Sequence, residues 1–274
     1  MKIPALPTAV AVVTAALVLA GFMVFHRRAV GKIAFDFSRI VSSEAHGGRY
    51  AQLNGVRLYY ETYGSGPPVL VLHGGSGALE DMRNQILALA PTRFVIAVDL
   101  RGHGRSTDSD TPLSYVLMAD DVLKLLDQLQ IRRTDIVGWS DGGIIALDLA
   151  MHHPERVRRI VTIGANYDVD GLVEVPSMNA PDAAHWPERY RKVVAMWATQ
   201  PRYSLAEVAK ISAPTLVMAG EFDIVKREHT DRLAHAIRGG EERIIDGATH
   251  HVIWEMPDIV DAEMLRFLNE ASLP

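Results

Sequence analysis

The chain has 274 residues, 48% of them apolar and 22% charged, with a formal net charge of −5. That length accommodates one sizeable α/β domain, the composition is that of an ordinary globular protein, and the lack of a basic stripe argues against nucleic acid as a partner. No cysteine occurs, which excludes disulfides, thiol catalysis and cysteine-ligated zinc.

At the N-terminus, Ile3 to Phe25 is a run of 23 residues without an ionisable group, and about 20 suffice to cross a bilayer as a helix. Two readings of residues 1–30 stand side by side. One is an uncleaved single-pass anchor that makes the membrane a partner. The other is a signal cleaved after Val18-Leu19-Ala20, which would leave the protein secreted or periplasmic. Arg27, Arg28 and Lys32 outweigh Lys2, and the positive-inside rule then places the rest of the chain in the cytoplasm; a signal-anchor reading places it outside. Residues 31–49 have no clear period, end in Gly47-Gly48 and read as a linker.

A hairpin follows. Tyr50–Leu53 and Val56–Tyr60 flank Asn54-Gly55, a strong two-residue turn signal. Val69–Leu72 and Phe94–Val98 are short apolar runs of the kind that form strands buried on both faces. Between them Glu80–Leu89 predicts a helix, and Pro112–Leu129 predicts another from its leucine spacing. Asp135–Trp139 predicts a strand, Gly142–His152 a helix and Val157–Ile163 the next strand. The pattern breaks over Tyr167–Lys210, 44 residues with four prolines and a helical piece near Glu188–Ala198. It resumes with Thr215–Ala219 (strand), Lys226–Arg238 (helix), Glu241–Ile245 (strand) and Pro257–Asn269 (helix). Alternation of this kind means right-handed crossovers and a parallel sheet, here preceded by an antiparallel hairpin. Residues 50–166 and 211–274 form the expected core of eight strands with helices on both faces. Residues 167–210 are expected to be a small helical lid over the strand carboxyl ends, where open α/β sheets bind ligands.

The chemistry centres on Gly138-Trp139-Ser140-Asp141-Gly142, between an apolar strand and a helix. A serine there sits on a sharp turn that presents its hydroxyl above the sheet; the bland alternative is a serine that caps the helix. Serine is a weak nucleophile without a base and an orienting acid. Asp223, after one late strand, and His250, after the next, supply them in order. Glu221 competes with Asp223, and His251 with His250. A short carboxylate at the strand end favours Asp223, and the position three residues past Gly247 favours His250. His73-Gly74-Gly75-Ser76-Gly77 follows a strand and can present the N–H of Gly75 to a developing oxyanion, with the N–H of Asp141 as second donor. The His73 imidazole reads as a turn residue. Asp99 through Ser106 reads as a tight turn held by Asp99 and Arg101, with a spacing that fits no phosphate-binding motif. In the lid, Trp186, Trp197, Met178 and Met196 read as core, with some able to line an apolar pocket. No pattern for a metal or organic cofactor is present.

Together these motifs resemble the α/β-hydrolase superfamily over Tyr50 to Asn269: H-G-G at His73, D-x-R-G-H-G-x-S at Asp99, G-x-S-x-G at Gly138, a late G-E-x-D and a late G-x-x-H. Gly138–Gly143, reading G-W-S-D-G-G, and Ile163-Gly164-Ala165-Asn166 are similar to the valacyclovir hydrolase (biphenyl hydrolase-like) group. That resemblance implies that the Asp141 carboxylate binds the α-amino group of amino-acid esters; the competing reading gives it to the helix dipole. Asp141, Gly74 and Trp139 are the candidate substrate contacts. Superfamily branches that open epoxides or carbon–halogen bonds use an aspartate nucleophile, and Ser140 argues against both. The expected activity is hydrolysis of small carboxylic esters through an acyl-enzyme, with carbon–carbon cleavage, lactone hydrolysis, acyl transfer or a non-catalytic binding role as alternatives.

Overall fold

The computed structural model describes residues 46–173, 179–180 and 182–270. These belong to the unit Ala45–Pro274; the other unit, Met1–Glu44, with the apolar run Ile3–Phe25, lies outside them. Among the described residues no helix is long and apolar enough to cross a membrane.

Eight strands form one sheet: β1 (His46–Leu53), β2 (Val56–Tyr63), β3 (Pro68–Leu72), β4 (Phe94–Val98), β5 (Thr134–Trp139), β6 (Val157–Ile163), β7 (Thr215–Phe222) and β8 (Glu241–Thr249). Their order across the sheet is β1-β2-β4-β3-β5-β6-β7-β8. Only the pairings of β1 with β2 and of β2 with β4 are antiparallel. The β1–β2 turn is tight because Asn54 and Gly55 both take the left-handed conformation, at φ 44° and 77°, which suits a two-residue hairpin. β1 starts at His46, so the last four residues assigned to the linker are in the strand. Polar residues and glycines hide this start in the sequence, and pairing of His46 with Thr62 and Arg49 with Tyr60 supplies it.

Side chains alternate along each inner strand between two cores. Leu70, Leu72, Ile96 and Ile136 point to one; Val69, Val71, Val95 and Val137 point to the other. The first core is closed by α2 (Tyr115–Gln128), α3 (Asp141–His152), α5 (Leu205–Val208) and α6 (Arg227–Ala236). The second is closed by α1 (Arg83–Leu89), α7 (Val252–Glu255) and α8 (Pro257–Asn269). A sheet covered on both faces needs strands that are apolar throughout, and all six residues of β5 are buried.

Helix boundaries differ from the sequence pattern where capping decides. α2 begins at Tyr115 rather than Pro112, because the Ser114 hydroxyl accepts from Leu117 N–H at 3.1 Å and caps it. The predicted helix Glu80–Leu89 is a 3₁₀ turn, Leu79–Met82, followed by α1. Between β6 and β7 the described elements are 3₁₀ turns at Val169–Gly171 and Ala183–His185, α4 (Glu188–Trp197) and α5. Met196 is buried and Trp186 donates its indole N–H to Asp182 Oδ2 at 3.0 Å; Met178 lies outside the described residues.

Candidate active site

Chain order reverses between β3 and β5. After β3 the chain crosses to β4 on one side, then returns to β5 on the other, and the crevice at such a switch point is where open α/β sheets bind ligands. Ser140 stands there, between β5 and α3. Its backbone is at φ 52°, ψ −118°, outside the regions that a non-glycine residue populates freely. The turn closes because Gly142 has no side chain: a Cβ there would lie 2.4 Å from the Leu72 carbonyl oxygen. The Ser140 side chain makes no helix-capping hydrogen bond. Its Oγ lies 3.0 Å from His250 Nε2 instead.

On the other side of that ring, His250 Nδ1 lies 2.7 Å from Asp223 Oδ1. A carboxylate only accepts, so Nδ1 carries the hydrogen and Nε2 is left to accept from the serine hydroxyl. Three loops far apart in sequence are thereby joined. The His250 loop is held from outside as well. The indole N–H of Trp139 donates to the His250 carbonyl at 2.9 Å, and Glu255 accepts from Thr249 N–H and Oγ1–H at 2.7 and 2.8 Å. Glu221, the rival acid, faces away and accepts from Gly247 N–H at 2.7 Å. Gly164, at φ 62°, passes so close that a Cβ would lie 2.9 Å from His250 Nδ1 and 3.1 Å from Asp223 Oδ2.

The predicted oxyanion donors also converge here. Asp141 opens α3, and the N–H of a first helical residue has no acceptor within its own helix. The loop after β3 lies directly against it: a Cβ on Gly75 would be 2.4 Å from Asp141 Oδ2 and equally near the Trp197 ring. His73 is the turn residue expected. Its Nδ1–H donates to Gly74 O at 2.6 Å and Nε2 accepts from Leu100 N–H at 3.0 Å. Burial, and secondarily the neighbouring His103, push its pKa down to about 3. Asp99 holds the adjacent turn as expected, accepting from Leu79 and Arg105 N–H at 2.8 and 2.9 Å. Arg101 does not. It is turned inward to pair with both oxygens of Asp121 on α2, each at 2.7 Å.

Ser140, Gly74, Gly75, Trp139, Asp141 and His250 line one cavity of about 190 Å³, with Tyr115, Gly164, Asn166, Leu172, Trp197, Gln200, Ile224 and His251. Asp223 sits behind His250. The Asp141 carboxylate is buried, and both oxygens take donors from outside its helix. Tyr115 O–H donates to Oδ1 at 2.9 Å, and Trp197 N–H reaches Oδ1 and Oδ2 at 2.9 and 3.0 Å. Burial raises its pKa, while those two hydrogen bonds and the neighbouring His103 and His250 oppose the rise. Gly74 contributes backbone to the wall. Trp139 contributes ring surface only, since its N–H is taken by His250. Sequence reasoning missed Tyr115 and Trp197 as partners of Asp141, and Gly164 as the spacer beside His250.

An eight-stranded α/β sheet with a serine elbow at its switch point defines a hydrolase fold, and the chain belongs to the alpha/beta hydrolase fold family, whose model matches residues 67–211. Among curated relatives, the serine hydrolase BPHL of Mus musculus is 40% identical over 121 residues, 42% of this chain and 41% of that protein. The 2-hydroxymuconate semialdehyde hydrolase of Pseudomonas sp. (strain CF600) is 39% identical over 122 residues, 43% of each. The chain thus spans under half the length of these relatives. Among solved structures, Est816, described as an N-acyl homoserine lactone degrading enzyme, is 29% identical with a TM-score of 0.68, covering 80% of this chain and 99% of that one. The resemblance to the biphenyl hydrolase-like group agrees with the first of these.

Proposed function

We propose that this hydrolase cleaves small carboxylic esters with Ser140 as nucleophile, His250 as general base and acid, and Asp223 as its orienting carboxylate. The observation that carries this reading is the continuous hydrogen-bonded line from Ser140 Oγ through His250 to Asp223. As the hydroxyl attacks the ester carbonyl, its proton passes to Nε2, and the imidazolium is stabilised by Asp223. The tetrahedral oxyanion accepts from the N–H groups of Gly75 and Asp141, which are fixed before the charge develops and so need no reorganisation. Collapse returns the Nε2 proton to the departing alkoxide and leaves Ser140 acylated. Water then gives a proton to Nε2, attacks the acyl carbon, and releases the acid with the serine restored.

Ser140→Ala should lower kcat by several orders of magnitude at unchanged stability. Labelling by a fluorophosphonate that disappears in this variant tests the activated serine, and unchanged ester turnover in it would refute the assignment. A panel of esters, lactones and vinylogous diketones separates ester cleavage from lactone hydrolysis and carbon–carbon cleavage. We further propose that Ile3–Phe25 tethers the chain to a membrane. Alkaline carbonate extraction, with mass determination of the mature N-terminus, distinguishes a tether from a cleaved signal.

A further inference from the structure

We propose that the cavity mouth is a subsite for an unbranched apolar tail, so that preferred esters carry a hydrocarbon chain too long for the cavity alone. The catalytic arm of this proposal rests on the ester-hydrolase reading; the binding arm does not. A cavity of about 190 Å³ is smaller than the roughly 300–1,000 Å³ that encloses a drug-sized ligand. It covers the reacting end of a substrate, about six to eight non-hydrogen atoms at a water-like volume per atom. Anything longer must leave through the mouth.

One lip of that mouth is built from two short segments. Leu172 bridges to Val225, and Val173 N–H donates to the Ile224 carbonyl at 2.8 Å. Leu172 and Ile224 both line the cavity, yet Ile224 is 44% exposed, so its side chain runs from the wall out to solvent. Hydrogen-bonded beside it, Val173 is 67% exposed. Single exposed hydrophobics scattered over a surface are ordinary, and Tyr50, Val116, Leu205 and Ile259 are of that kind. Ile224 and Val173, hydrogen-bonded to each other at one cavity lip, continue its apolar wall outward. Two side chains also fall far short of the roughly 800 Å² per partner of a stable protein interface, so the occupant is a chain of methylenes from the bound substrate.

The test uses the full chain with two series, p-nitrophenyl acyl esters and n-alkyl acetates, lengthened from two to ten carbons and kept below their critical micelle concentrations. Full burial of one methylene is worth roughly fourfold in affinity and half-burial about twofold. We therefore expect kcat/KM to rise about twofold per carbon beyond about six in one series, which also identifies the end that carries the tail. Val173→Ser should flatten that rise and leave acetate turnover unchanged. In Ser140→Ala, the Kd of the longest ester against the butyrate, read from the Trp139 and Trp197 fluorescence, should show the same gain and the same loss without any catalysis. Flat behaviour in both series, or a gain that survives the Val173 substitution, overturns the subsite. A gain found only above the micelle concentration assigns the lip to a lipid surface, and a change of oligomeric state without a chain-length effect assigns it to a second copy; either overturns it too. If no ester is turned over and no probe labels Ser140, the hydrolase reading fails alone and the binding measurement still decides the subsite.

Discussion

Trp139 and His250 are joined by a hydrogen bond from the indole N–H to the backbone carbonyl, 2.9 Å long and spanning 111 residues. The residue just before Ser140, the proposed nucleophile, thereby fixes the loop that carries the imidazole beside it. The ring also packs against Trp254 and the His250 ring, with centroids 5.0 and 5.6 Å apart. Trp139→Phe keeps much of that packing and removes the donor, leaving a buried carbonyl unpaired at a cost of about 1–2 kcal/mol. We expect a lower denaturant midpoint and a kcat reduced about tenfold. A loss of stability with kcat untouched would make the bond structural only.

Gly164→Ala is the sharpest test of spacing. The position has φ 62°, and the new methyl group would press on both His250 Nδ1 and Asp223 Oδ2. Displacing a reacting group by about 1 Å can cost about a hundredfold. Steady-state kcat should fall by about that factor, and the rate of fluorophosphonate labelling should fall with it. Wild-type rates in this variant would show that the imidazole is held less tightly than its contacts indicate.

Asp141 places a buried carboxylate in the wall of the cavity that Ser140 lines, supported by Tyr115 and Trp197. A substrate ammonium reaching this wall gains charge-assisted attraction that an uncharged group does not. Asp141→Asn is expected to lower kcat/KM for α-amino esters about tenfold and for matched neutral esters about twofold or less. Equal losses on both classes would confine Asp141 to holding Trp197 and Tyr115 in place.

Far from the site, Asp261 is pushed up to about 6, chiefly by burial and against the stabilising hydrogen bond from Gln85 Nε2 at 2.9 Å. The folded state therefore holds a proton that the unfolded chain releases nearer the ordinary aspartate value, and stability falls as pH rises from about 4 to 6. Asp261→Asn keeps the partner without the charge. Urea unfolding should find it more stable than wild type by about 2 kcal/mol at pH 7.5, with the gap narrowed by about half at pH 5. A gap that does not change with pH contradicts the assignment.

What could be read from the sequence was whatever depends on neighbours along the chain. Apolar runs gave β3 to β8, Asn54-Gly55 gave the hairpin, and the glycines around Ser140 marked its turn. The order of Ser140, Asp223 and His250 was legible because each follows a strand. Relationships set by the path of the chain in space were not. By its place in the chain Arg101 belongs to its own turn, yet it reaches Asp121 on α2. Trp197 was one apolar residue among several in the lid until α4 brought its N–H to Asp141. β1 began earlier than its polar residues suggest because β2 supplies the pairing.

The three residues of the hydrogen-bonded line ride on strands of different position. Ser140 follows a central strand, whereas Asp223 and His250 follow β7 and β8, the outermost pair on that side of the sheet. A refolding molecule that has assembled its middle but not docked its final quarter would own the proposed nucleophile and lack the base proposed to deprotonate it. Return of turnover after dilution from denaturant is therefore a clock for the last event of assembly, and it should lag behind the recovery of helical signal.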